Sequence, residues 1–151
     1  MPEHIFTIVA RGLTVDAQTN TLTLFAVLEE IGTPHLPAAV FELSVVTLWR
    51  RKPGEEGVGF VQQTRFIDPS GEETAHLDQS FRFEKPRHRM IGQVHGFPIR
   101  TAGCHRIEVF VRRDDVSSWG APVASYPIEV TDAQTQPQRS LLDTSGASVN
   151  Q

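Results

Sequence analysis

A single cysteine, Cys104, stands in 151 residues. One thiol excludes an intrachain disulfide, so packing alone must hold any fold, which suits a reducing compartment. Basic excess is missing as well. Fourteen Lys and Arg against 18 Asp and Glu leave a net charge of -4. Nucleic-acid binding without sequence preference needs a basic surface, so nucleic acid is not an expected partner. No apolar run approaches the ~20 residues of a membrane helix. The opening Met1-Pro2-Glu3-His4 has no basic region, and Ile5 to Ala10 is too short for a signal-peptide core. The expectation is a soluble, cytoplasmic protein with no membrane partner.

Catalytic and metal motifs are equally scarce. The six histidines, His4, His35, His76, His88, His95 and His105, show neither His-x-His nor His-x3-His spacing, and no cysteine pair joins them. Zinc sites usually show such local pairs. Only His95 and His105, across a hairpin near Cys104, invite the thought, and the expectation is no metal and no cofactor. Gly-x-Ser-x-Gly is absent, so no nucleophile elbow supports a serine triad. Gly54-Glu-Glu-Gly57-Val-Gly59 lacks a following Lys-Ser/Thr and precedes a strand, unlike a phosphate loop. The acidic pairs Glu29-Glu30, Glu55-Glu56, Glu72-Glu73 and Asp114-Asp115 lack the Asp-x-Asp alternation of calcium loops and read as solvated turn charge.

What the chain does have is alternation. From His105 to Arg112, Ile107, Val109 and Val111 point one way, while Arg106, Glu108 and Arg112 point the other. That is a half-buried strand. Strand runs also cover 5–11, apolar on both faces and read as covered on both sides, then 41–51, 60–67 (apolar on both faces in part), 76–84, 90–99, 104–113 and 123–130. Turns such as Asp68-Pro69-Ser70-Gly71 end them. The 41–51 run is apolar on both faces in part and reads as a central strand. Gly92 and Gly96 predict a bulge in 90–99. The short Thr101-Ala102-Gly103 link predicts a hairpin between 90–99 and 104–113. Pro127 makes 123–130 an edge or bulged strand. Residues 21–31 fit two templates: Thr21-Leu22-Thr23-Leu24 alternates, yet Leu24, Val27, Leu28 and Ile31 fit helical spacing. A strand is preferred because its neighbours are strands. The sum is an all-β, antiparallel, immunoglobulin-like β-sandwich of seven or eight strands over residues 1–130. It lacks the Cys…Trp…Cys pattern of true immunoglobulin domains. Residues 131–151, poor in apolar groups, read as a flexible polar tail.

Fold class says little about chemistry. Val46, Leu48 and Phe110 put apolar groups on faces that alternation assigns to water, so some sheet face awaits a cover. That cover is either the segment 24–37 or a partner. Trp119, in a loop, reads as an interaction anchor or as a cap on the open end of the sandwich. Arg87 and Arg89 lie in the basic connector Lys85-Pro-Arg-His-Arg89; nearby Phe81 and Phe83 read as core. The favoured function is a non-enzymatic interaction or assembly module, acting by protein recognition or self-association along an edge such as Val123–Val130. Its candidate partner-binding residues are Val46, Leu48, Phe110, Trp119, Arg87 and Arg89. One alternative is a sandwich that binds a sugar or small polar molecule at its loop end through Trp119, Arg87 and Arg89. Another is a hydrolase-type enzyme with Cys104 and His95 or His105, although a buried or half-buried inert thiol is the plainer reading of Cys104.

Short motifs carry one resemblance over residues 4–130. They are Val15-Asp16 before Leu22-Thr23-Leu24-Phe25, then Leu48-Trp49, then Pro69-Ser70-Gly71-Glu72, and last Tyr126-Pro127. In these the chain resembles a family of small uncharacterised bacterial proteins with no assigned activity. The resemblance implies an immunoglobulin-like sandwich and a bacterial or phage source. It carries over no catalytic or binding residue.

Overall fold

The computed structural model describes residues 1–133, apart from the Phe41 side chain, and the alternating runs become nine strands. In chain order they are β1 (Glu3–Val15), β2 (Leu22–Val27), β3 (Glu30–Thr33), β4 (Ala38–Arg50), β5 (Gly59–Ile67), β6 (Glu73–Arg82), β7 (Arg87–Ile99), β8 (Gly103–Arg113) and β9 (Ala124–Asp132). Sheet 1 has the order β2-β1-β4-β7, and sheet 2 the order β3-β9-β8-β5-β6. All neighbours are antiparallel except β3 and β9. Among the described residues no helix is long and apolar enough to cross a membrane. The polar tail expected for 131–151 begins inside β9 and otherwise lies outside the described residues.

The two sheets pack face to face. Inward residues of β4 and β1, such as Leu43, Val45 and Val9, meet Phe66, Ile107, Ile128 and Val130 of sheet 2. At the other end Trp49 packs with Phe60, Phe81, Phe83, Met90, Val109 and Val111. Each such side chain removed from water contributes about 1.5–3 kcal/mol. A buried polar link joins the sheets between these clusters. Gln62 Oε1 accepts from Thr47 Oγ1 at 2.6 Å and from Trp49 Nε1 at 2.8 Å, while Gln62 Nε2 donates to Thr64 Oγ1 at 3.2 Å.

Three features depart from the expectation. First, 21–31 is two strands in different sheets, which raises the count above seven or eight. Ala26 adopts φ 51°, breaking the run before Leu28 and Ile31 enter the core. Their i, i+3 spacing comes from a strand break, not a helical turn. Second, β7 and β8 form no hairpin. Residues 100–102 cross from sheet 1 to sheet 2, and Gly103 sits at φ 118° against Pro69. A short link fixes how close two strand ends lie, not whether the strands pair. Third, β9 is no simple edge: β3 pairs with its last four residues, Glu129–Asp132. Pro127 lies just before that stretch, where no partner needs its missing N–H.

On the remaining long side the sheets close through side chains. Gln79 of β6 donates to the Ile91 carbonyl of β7 at 3.0 Å. Gly92 lies beside it, where a Cβ would stand 2.8 Å from Leu77 Cδ2 and that methyl would have to shift.

The β1–β2 hairpin does not continue flat. Arg89 lies in the cross-strand row of Leu48 and Phe6, whereas β1 leaves β4 at Ala10, opposite Ser44. At ~3.3 Å per residue, a straight hairpin would carry Asn20 on the order of 35 Å from that row. Yet Arg89 Nη2 donates to Asn20 Oδ1 at 2.8 Å, and Nη1 to its carbonyl at 3.2 Å. The hairpin therefore folds back over the outer face of sheet 1. This explains why Ser44 and Val46, pointing away from the sandwich interior, are 0% exposed. Half-buried Leu13, Leu22 and Leu24 line the hairpin. The cover anticipated from 24–37 comes chiefly from residues 10–27.

Candidate interaction surface

Alternation in β8 that turns Ile107, Val109 and Val111 inward turns Glu108, Phe110 and Arg112 outward, onto the exposed side of sheet 2. Cross-strand register puts Gln63 of β5 opposite Phe110, and Arg65 opposite Glu108. Arg65 then lies over the Phe110 ring, its Cζ 4.1 Å from the centroid. The loop after β8 returns to the sheet, with Val123 N donating to the Val109 carbonyl at 2.8 Å. It places Trp119 edge-on to Phe110, centroids 6.5 Å apart at 74°. Arg112 covers the Trp119 ring with Cζ at 4.7 Å. The result is an alternating array, Arg65–Phe110–Trp119–Arg112, across one sheet face.

Polar contacts hold the array from below and beside. Arg65 Nε donates to Gln63 Oε1, and Gln63 Nε2 donates to Asp78 Oδ1 at 2.8 Å. Glu73 stands 3.5 Å from Arg65 Nε and 2.8 Å from His76 Nδ1. Arg112 donates to the Val116 and Arg113 carbonyls, tying the loop to the strand. Its Nε is buried with no partner among the described residues. Phe110 is only 6% exposed, so the accessible matter is the half-buried Trp119 and Arg112 and the upper side of Arg65. Guanidinium over an aromatic face is attractive by ~0.5–2 kcal/mol. Each ring thereby holds its arginine at a fixed height. Arginine and tryptophan, held rigid and partly desolvated, are the residue types that dominate protein–protein binding energy. Carboxylates of Glu73, Asp78 and Glu108 balance the arginines, so the face has no single sign.

The six candidate binding residues fall into three groups. Phe110 and Trp119 come together on sheet 2. Val46 and Leu48 lie on the outer face of sheet 1, Val46 fully buried. Arg89 fastens the folded-back hairpin, while Arg87 is exposed opposite Arg50. Arg87 and Arg89 thus lie on the opposite outer face from Trp119, and the three do not converge. Cys104 shares the outer face of sheet 2, opposite Glu129, whereas His95 is on sheet 1 opposite Glu42. His105 Nε2 instead meets the Thr101 carbonyl at 2.9 Å. Cys104 is exposed, neither buried nor half-buried. Among the described residues no group of three His, Cys, Asp or Glu is placed to hold a metal.

Groups with displaced pKa values lie away from the array. Burial holds His4, beside Trp49, and His88, stacked on Phe81 at 5.1 Å, below the ordinary imidazole value. Hydrogen bonds from Thr19 and Gln18 hold Asp16 low at the hairpin tip, and those from Ser70 and Glu72 do the same for Asp68. Burial raises Tyr126, whose hydroxyl donates to the Leu28 carbonyl at 2.8 Å. Arg65, Gln63 and Arg112 were not anticipated from the sequence. Phe110, as a large apolar group at a water-facing position, and Trp119, as a loop aromatic, were the local signals for this face.

The architecture and surface define a two-sheet β-sandwich with an aromatic–arginine array on one face. Residues 7–131 match the family of unknown function DUF6941, and the chain belongs to that family. No curated protein matches it. Among solved structures it is similar to an alkylpurine DNA glycosylase of Pseudomonas fluorescens bound to DNA containing an abasic-site analogue. That match has 11% identity and a TM-score of 0.42; it covers 82% of this chain but only 30% of the glycosylase. It is also similar to an immunoglobulin-like protein of Pseudomonas aeruginosa, at 12% identity and a TM-score of 0.34, covering 82% of this chain and 91% of that one.

Proposed function

We propose that this chain is a non-enzymatic interaction module that recognises a protein partner with the outer face of sheet 2. The observation that carries the reading is the Arg65–Phe110–Trp119–Arg112 array, built on β5, β8 and the loop that follows β8. An immunoglobulin-like strand plan supports it. The run β9-β8-β5-β6 corresponds to the G, F, C and C′ strands of that plan, and β1-β4-β7 to A, B and E, with β2 as an addition. The lone, exposed Cys104 favours a reducing compartment such as the cytoplasm. The test is affinity capture of the tagged full chain from its source cell, beside Trp119→Ala and Arg65→Ala variants. A protein retained by the native chain and lost from both variants, at unchanged melting temperature, is the expected result. Identical capture by all three would overturn the reading.

A further inference from the structure

Edges of a β-sheet offer unpaired backbone groups to other chains, and natural proteins blunt them with charge, proline, shortness or cover. Sheet order leaves four edges here among the described residues: β2, β7, β3 and β6. Three of them carry such devices. β3 is four residues long. β6 bears Glu73, His76, Asp78 and Arg82. β7 bears Arg87, Arg89 and Pro98, and its Ile91 carbonyl is taken by Gln79.

β2 carries none. Its sequence, Leu22-Thr-Leu-Phe-Ala-Val27, has no charge and no proline, and Thr21 before it is also neutral. Leucine, threonine, phenylalanine and valine make it the segment best suited to pair with a further strand. Phe25 is 53% exposed and Val27 50% exposed. Among the described residues only β1 pairs with it.

We propose that the free edge of β2 pairs antiparallel with β2 of a second copy of this chain. A strand paired antiparallel with itself is two-fold symmetric, so the contact closes as a dimer instead of growing into a fibre. Pairing centred on Leu24 sets Phe25 of one copy opposite Thr23 of the other and keeps both on one face. No like charges then oppose each other, which favours a second copy. Phe25 of both copies gains shared cover along the seam. This contact lies on sheet 1 and is independent of the array on sheet 2.

The test is sedimentation equilibrium of the full chain over the micromolar to millimolar range, beside Thr23→Lys/Phe25→Lys. Both altered side chains are exposed, so the fold should be kept, as circular dichroism and the melting temperature will check. The native chain should show a monomer–dimer equilibrium, and the double variant should weaken it by about tenfold or more through lysines facing across the seam. If the double variant loses its fold, the single Thr23→Glu gives the same reading. A native chain that stays monomeric, including one whose own residues 134–151 take the edge, overturns the proposal. So does a dimer that either folded variant leaves intact. Loss of the sheet-2 partner with dimerisation unchanged would count only against the proposed recognition face.

Discussion

Replacing Gln62 with leucine tests the buried polar link between the sheets. Gln62 is 2% exposed, and its carbonyl oxygen accepts from both Thr47 and Trp49. Leucine keeps most of the volume but removes the shared acceptor. Trp49 Nε1 retains Thr47 Oγ1 at 3.2 Å, whereas the Thr47 hydroxyl loses its acceptor. A buried donor left without a partner costs about 1–3 kcal/mol, and the lost bond to Thr64 about 0.5–1.5 kcal/mol. Added apolar burial offsets part of this, leaving a net loss of about 2 kcal/mol. For a domain of this size that lowers the melting temperature by about 6–8 °C. The urea midpoint should fall by roughly 1 M with the slope unchanged. Adding Thr47→Val, which removes the stranded donor, should cost less on the Gln62→Leu background than alone, by about 1 kcal/mol. Urea unfolding followed by tryptophan fluorescence gives all four corners of the cycle. An unchanged or raised midpoint for Gln62→Leu would refute the view that this link holds the sheets together.

Other consequences can be measured on the same chain. Gly103→Ala forces a side chain onto a residue at φ 118°, 3.3 Å from Pro69, and should cost about 1–3 kcal/mol in urea unfolding. His88 is held neutral by burial, so its folded pKa lies below the unfolded value near 6.5. Its stabilising contribution is complete above that unfolded value and is lost as pH falls through the depressed folded one. His88→Phe should therefore flatten the decline of the urea midpoint between about pH 7 and pH 5, and an equally steep decline would exclude His88 as its source. Arg89→Ala removes the fastening at Asn20. Amide exchange in Leu13 and Leu22–Leu24 should quicken by about fivefold, the factor that ~1 kcal/mol gives, while the sandwich core stays protected.

Strands that keep one face wet were plain in the sequence, because alternation is local. His105–Arg112 became β8, and 76–84 became most of β6. The 41–51 run, apolar on both faces, did prove central, with β1 and β7 on its flanks. Pairing was less legible. Nothing local says that residues 100–102 cross between sheets, or that 21–31 breaks at Ala26 and sends Leu28 and Ile31 inward. The array shows the same limit. Phe110 stood out by parity within its own strand, but Arg65 reaches it only through the β5–β8 register, set by contacts 45 residues apart in sequence. Val46 looked like surface awaiting a partner for a similar reason. Its cover is the hairpin folded back from β1, a tertiary contact that strand periodicity does not encode.

The most direct test of the central claim is hydrogen–deuterium exchange of the full chain, alone and with its captured partner. Protection gained along β5, β8 and the loop carrying Trp119 is the predicted result. Protection gained on sheet 1, with the Phe110–Trp119 face unchanged, would contradict it.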